Sequence, residues 1–203
     1  ISPFAYLHWP KVRALAERQP VEFRPLLFAG LLDKHGQKGP AEIPGKRRFT
    51  YRHVLWLARQ QGVPLRFPPA HPFNPLAALR LCLAAPDRVA ATHAIFAHLW
   101  ERGAAADSAE ALAPVARELG VADIESAIAD PLVKQALAFN GNEAIALGVF
   151  GVPTLVIDHE LFWGNDATSM ALAYLANRGL FQDEEMRRID TLPVAARRKE
   201  AKA

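Results

Sequence analysis

Apolar positions change their period several times along the chain, and those changes divide it. Residues 2–18 carry the helical period, with Ser2 as N-cap and Pro3 in the first helical position, both favoured there. Residues 21–28 alternate (Val21, Phe23, Pro25, with Glu22 and Arg24 between), which predicts a strand whose proline marks an edge or an end. Gly30, Gly36, Gly39, Pro40, Pro44 and Gly45, set among lysines and arginines, predict a long loop over 29–48. The helical period then returns for almost a hundred residues. Helices are predicted over 50–61, from Asn74-Pro75 onward with Asn74 as cap, and over 87–102, 108–119, 122–129 and 131–147. Two short strands follow, 154–158 and 160–163, as a hairpin turning at Asp158-His159, and a last helix runs from about Asp166 to Arg178.

Strands at both ends of a helical middle predict one α/β unit interrupted by a helical insertion, because a lone strand or hairpin is not stable in water. The divisions are 1–48 and 148–203 for the two parts of the α/β domain and 49–147 for the insertion.

Composition narrows the classes. At 203 residues, 51% hydrophobic and 22% charged, the chain has ample core. No run reaches the roughly 20 apolar residues that span a bilayer. Net charge is +3, with Arg187, Arg188, Arg197, Arg198, Lys199 and Lys202 gathered in a basic tail that reads as a solvated end rather than a nucleic-acid contact. A single cysteine, Cys82, excludes an internal disulfide and fits a cytoplasmic protein. Cys82 lies in a dense apolar run, as a structural thiol does, and the histidines show no metal-ligand spacing, so no metal is assigned.

Three features bear on chemistry. Ser2 opens a helix, where a hydroxyl and the helix dipole together stabilise a thiolate; on pattern alone a plain cap is the favoured reading. Val152-Pro153-Thr154 puts a proline just before a buried strand, where a cis peptide is affordable and the backbone of Val152 turns toward a ligand. Asn165 and Asp166 start the last helix, either as caps or as an anchor for a charged group.

Four blocks, Ile1-Ser2-Pro3-Phe4-Ala5-Tyr6-Leu7, Pro44-Gly45-Lys46-Arg47, Gly151-Val152-Pro153-Thr154 and Phe162-Trp163-Gly164-Asn165-Asp166, resemble the thioredoxin-like superfamily in its DsbA-like branch. The closer resemblance is to glutathione-dependent 2-hydroxychromene-2-carboxylate isomerases and kappa-class glutathione transferases. It implies a thioredoxin-like fold with a large all-helical insertion, and glutathione as cofactor beside a small aromatic or electrophilic substrate. Thiolate addition to the conjugated enone would turn a double bond into a rotatable single bond, and elimination would give trans-o-hydroxybenzylidenepyruvate.

The same resemblance makes Ser2 the thiolate-setting residue and gives glutathione Lys46, Gln37, Val152, Pro153, Asn165 and Asp166. Lys46 would pair with the glycyl carboxylate; Gln37 stands where kappa-class relatives use asparagine. Val152 would bind the cysteinyl backbone as a short antiparallel strand, and Asn165 with Asp166 the γ-glutamyl end. Phe4, Tyr6, Asn74 and Trp163 are candidate walls of the substrate pocket, with packing and capping as their other reading. A kappa-like transferase or peroxidase and a non-catalytic glutathione-binding protein are the competing functions, and a homodimer is implied. Two departures stand out. The family's opening strand has no counterpart before Ile1, which reads as a truncation, and Ala167 replaces an arginine common in relatives.

Overall fold

A computed structural model describes residues 1–196, so the basic-tail residues Arg197, Arg198, Lys199 and Lys202 lie outside the described part. Helix α1 (Pro3–Ala16) begins where its sequence says it should. Ser2 is extended (φ −71°, ψ 123°) and its hydroxyl oxygen accepts from the Ala5 N–H at 3.3 Å, the bond that makes serine a favoured cap. Tyr6, Leu7, Trp9 and Val12 face inward from α1.

The strand expected over 21–28 is not formed. Residues 20–27 carry no regular structure, and Phe28 opens helix α2 (Phe28–His35). A strand exists only through its ladder, and buried carbonyls must find donors somewhere. Here the Phe23 carbonyl accepts from the Arg88 guanidinium at 3.1 Å and the Pro25 carbonyl from Asn140 Nδ2 at 2.8 Å. Side chains from the helical part thus satisfy carbonyls that a neighbouring strand would otherwise take.

The loop expected over 29–48 is largely helical as well. Helix α2 buries Leu31 and ends at Gly36, whose φ is 59°. That is the left-handed cap that glycine adopts freely. A short 3₁₀ turn (Pro40–Glu42) leads into α3 (Pro44–Gln61), which starts six residues before the predicted position with Pro44 in its first turn. Lysine and arginine are good helix formers, so a basic stretch that looks loop-like by polarity continues the helix.

The remaining helices follow their caps. These are α4 (Leu76–Ala84), α5 (Arg88–Phe96), α6 (Ala109–Glu118), α7 (Ile124–Ala129) and α8 (Pro131–Ala146). Asp87, Ser108, Asp123 and Asp130 each accept a first-turn N–H at the N-termini of α5 to α8. The helix expected over 87–102 is not uniform. Instead α5 passes into a π-helical turn at Ala97–Glu101, and Gly103 (φ 64°) follows it; such turns are brief inserts within α-helices. The principal core joins α1 to these helices through Leu7, Val54, Leu81, Leu99, Trp100, Leu112 and Val115.

Strands β1 (Thr154–Ile157) and β2 (Glu160–Trp163) form an antiparallel hairpin with Thr154 opposite Trp163 and Ile157 opposite Glu160. Asp158 (φ 51°) and His159 (φ 79°) are both left-handed, as a two-residue primed turn requires. This hairpin is the whole sheet among the described residues, so the expected joining of both chain ends in one sheet does not occur there. A hairpin needs support from another element. Helix α9 (Thr168–Ala176) gives it from one side, where Phe162, Ala171 and Tyr174 form a separate small core with Phe181. Helix α10 (Glu184–Ile189), capped by Asp183, has no counterpart among the expected elements. Among the described residues no helix is long and apolar enough to cross a membrane.

Candidate functional site

Ser2 sits at the mouth of α1 with its oxygen committed to the helix and its proton available. Two residues on, Phe4 is partly buried and meets the His53 ring edge-on, with centroids 6.3 Å apart. His53 in turn stacks with Phe49 and Trp56, at 5.6 and 6.1 Å, along the exposed side of α3. Phe4 therefore has an aromatic surface beside it. Tyr6 does not share that surface. It is 3% exposed, its hydroxyl donates to the Pro64 carbonyl at 2.5 Å, and its ring lies against Phe96 and Trp100. Burial, with the Glu101 carboxylate beside it, pushes the Tyr6 phenol well above its ordinary range. As a pocket wall Tyr6 is thus corrected to a core residue, because its helical position turns it inward.

The face of α1 opposite Tyr6 is tied to the start of α9. Lys11 Nζ donates to the carbonyl and to Oδ1 of Asn165 at 3.0 and 3.1 Å. Thr168 Oγ1 donates to the same carbonyl at 3.2 Å and lies 2.9 Å from His8 Nε2. His8 is 2% exposed, and burial, reinforced by Lys11, lowers its pKa to about 4, as desolvation of a cation does. The ring is neutral, and its Nε2–H donates to the threonine oxygen. Asn165 is buried, and its side-chain oxygen is engaged by Lys11, leaving the amide NH₂ as its free group. Neither Asn165 nor Asp166 caps α9: the N-cap is Ala167, without a side-chain bond, and Asp166 is exposed.

The Val152–Pro153 peptide is cis. The Val152 side chain packs with Leu31, Ala144 and Val149, while neither its N–H nor its C=O makes a backbone hydrogen bond among the described residues. The Pro153 carbonyl accepts from the Gly164 N–H at 2.9 Å, joining this segment to the turn before Asn165. Trp163, 54% exposed, contacts Phe150 and lies over Gly151, where a Cβ would collide with its indole nitrogen. Glycine is needed at 151 for that approach.

Gln37 follows the Gly36 cap of α2 and is exposed; its N–H donates to the Leu32 carbonyl. Helix α2 is anchored near Val152, since His35 Nε2 approaches the Val149 carbonyl at 3.4 Å. Lys46 is exposed in the first turn of α3, next to an open recess of about 540 Å³ bordered by Glu42, Arg47, Arg48 and Tyr51. Asn74 accepts from the Leu76 N–H at 3.1 Å, a local turn bond one residue before Pro75, the N-cap of α4. Cys82 is buried, and burial pushes its thiol pKa up, which keeps it unreactive at neutral pH.

A sequence profile described as the DSBA-like thioredoxin domain matches residues 1–176. The chain belongs to this DsbA-like family. Its curated relatives include a 2-hydroxychromene-2-carboxylate isomerase of Sphingobium xenophagum, 28% identical over 86% of this chain and 93% of the relative. A protein of the same name from Pseudomonas putida is 27% identical over 84% of this chain and 87% of its own length. Glutathione S-transferase kappa 2 of Caenorhabditis elegans is 27% identical over 77% of each. Among solved structures, a 2-hydroxychromene-2-carboxylate isomerase superposes with a TM-score of 0.78 over 95% of each chain, at 21% identity, which speaks for the shared DsbA-like fold.

Sequence reasoning missed His8, Lys11, Tyr51 and His71 as members of this region. The first pair shares one face of α1 by the i, i+3 rule. Nothing local links Lys11 to Asn165, 154 positions away.

Proposed function

We propose that the chain is a glutathione-dependent isomerase of the 2-hydroxychromene-2-carboxylate type. The observation that carries this reading is Ser2: its oxygen accepts from the α1 backbone, and its proton is left to donate to a sulfur at the same helix N-terminus. A hydroxyl polarised in this way is a stronger donor. A hydrogen bond to a charged acceptor contributes about 1.5–3 kcal/mol, equivalent to roughly one to two pKa units. That brings a thiol of pKa ~8.5 close to neutrality.

The residues present fit glutathione. Val152 offers an unengaged N–H and C=O for the cysteinyl backbone, held in place by the packed side chain and by the Pro153–Gly164 bond. The uncapped N–H groups of α9 suit a carboxylate and the exposed Asp166 an ammonium, together the two charges of a γ-glutamyl end. Asn165, held by Lys11, fixes the turn and contributes its amide NH₂. Lys46 and Gln37, both exposed, suit the glycyl carboxylate. Such exposed pairs are worth about 0–1 kcal/mol, enough to tune KM. When bound, glutathione supplies a thiolate nucleophile for reversible addition to a conjugated aromatic enone. Phe4 and Trp163 present aromatic faces for a planar substrate.

The test follows 2-hydroxychromene-2-carboxylate and glutathione together in one reaction. Isomerisation that requires glutathione and consumes none supports the proposal. Loss of glutathione in step with the electrophile would instead support a kappa-like transferase, the reading that the nematode relative favours. Binding of glutathione with no turnover would leave a binding module.

A further inference from the structure

We infer that Tyr51 and His71 are positioning residues for Ser2, holding the peptide carbonyl immediately before it; this rests on the thiolate role proposed for Ser2. His71 Nε2 lies 3.1 Å from the Ile1 carbonyl oxygen. That oxygen can only accept, so Nε2 carries the proton. The other ring nitrogen, Nδ1, is 2.7 Å from the Tyr51 hydroxyl. With Nδ1 unprotonated, the one Tyr51 proton goes to it, while the His71 carbonyl, also 2.7 Å from that hydroxyl, receives its donor from Arg47 at 2.8 Å. Backbone and ring of His71 are therefore both held from α3.

The surroundings make this pin stiff. Phe67, Phe73 and Trp100 all meet the imidazole edge-on, between 5.4 and 6.4 Å. Tyr51 lies against Phe67 at 4.6 Å. The bonds between Tyr51, His71 and Ile1 are partly buried, which strengthens them relative to fully solvated ones. Burial holds the imidazole below its ordinary pKa, consistent with one proton, on Nε2.

The pinned peptide is a part of the Ser2 environment that the helix does not fix. From Ala5 onward the N–H groups bond back to Ser2: Ala5 to its hydroxyl and Tyr6 to its carbonyl. Ser2 is the N-cap, so the peptide on its other side has non-helical dihedrals and no place in the ladder. Holding the Ile1 carbonyl fixes that planar peptide, which ends in the Ser2 N and Cα atoms, the bond about which the whole residue turns. The contact spans 70 positions and joins the α3 region to α1 beside the proposed reacting sulfur.

The test uses His71→Phe, His71→Gln and Tyr51→Phe in the full chain. Measurements are the pH profile of glutathione-dependent isomerisation, the ultraviolet absorbance of the bound thiolate, and KM for glutathione. Phenylalanine at 71 keeps a ring among the aromatic neighbours but removes the donor; glutamine keeps a donor to the Ile1 carbonyl. His71→Phe should raise the apparent thiol pKa by about one unit and lower kcat about tenfold, with KM within about twofold. Tyr51→Phe should do the same to a smaller degree, and His71→Gln should restore most of the loss. Tyr51→Phe removes only an oxygen and carries the test if His71→Phe fails to fold. A wild-type thiol ionisation that folded Tyr51→Phe and His71→Phe leave unmoved overturns this inference alone. A wild-type protein with no such ionisation overturns it together with the role of Ser2.

Discussion

His8 is a buried, neutral imidazole, and its environment carries a pH signature. Its pKa is about 4 in the folded protein, against about 6.5 in an unfolded chain. At neutral pH and above neither state is charged, so His8 adds no pH dependence. As pH falls below about 6.5 the unfolded chain takes up a proton that the folded one refuses, and stability declines until about pH 4. The full effect is on the order of 3 kcal/mol. Denaturant midpoints measured across that window should fall for the wild type and less steeply for His8→Gln, whose amide still donates to Thr168. Equal slopes would remove His8 as the cause. Ser2 is legible as a cap because a cap is read over three residues, whereas the N-cap of α4 falls on Pro75, one residue after the expected Asn74. The engagement of Asn165 by Lys11, and of His71 by Tyr51, is not legible: those bonds depend on how helices meet in space.

At the scale of elements, the hairpin is readable and the segment before α2 is not. The short apolar runs of β1 and β2 and the Asp158-His159 turn agree with each other, and the register follows. His159 holds a φ of 79°. A Cβ is disfavoured there by roughly 1–2 kcal/mol. His159→Gly should therefore raise unfolding free energy by about 0.5–1 kcal/mol after the entropy of the added glycine is offset; a decrease in a chemical denaturation series would contradict the turn geometry.

Residues 20–27 alternate as a strand does, yet alternation reports only which side chains are buried. It does not report what the backbone bonds to. Asn140 is 8% exposed and donates to the Pro25 carbonyl, so Asn140→Ala leaves an acceptor unsatisfied. The expected cost is about 1–3 kcal/mol, and exchange of amides around residues 20–27 should quicken more than elsewhere. Uniform protection would mean the segment is held by other contacts. Helix α3 is half legible for a related reason: its basic first turn has helical propensity but no apolar period to reveal it.

For the whole molecule, the resemblance to the DsbA-like fold is readable because its blocks are local. A serine-capped helix start, a proline before a strand and an Asn-Asp after a hairpin each span a few residues. What positions them is not local. The principal core joins α1 to α3 through Leu7 and Val54, and the contacts of Lys11 and His71 hold α1 from two sides. Ser2 is thus presented by a helix that both the hairpin end and the helical part constrain. The most direct measurement compares glutathione-dependent isomerisation of 2-hydroxychromene-2-carboxylate by the wild type, Ser2→Ala and Ser2→Asp. Aspartate keeps the helix cap, so its stability should stay within about 0.5 kcal/mol of wild type, whereas alanine should lose about 1 kcal/mol. Both should lose activity by about a hundredfold, alanine for want of a donor and aspartate because its charge repels the thiolate. Wild-type turnover in the folded Ser2→Ala and Ser2→Asp proteins would contradict the role assigned to the hydroxyl.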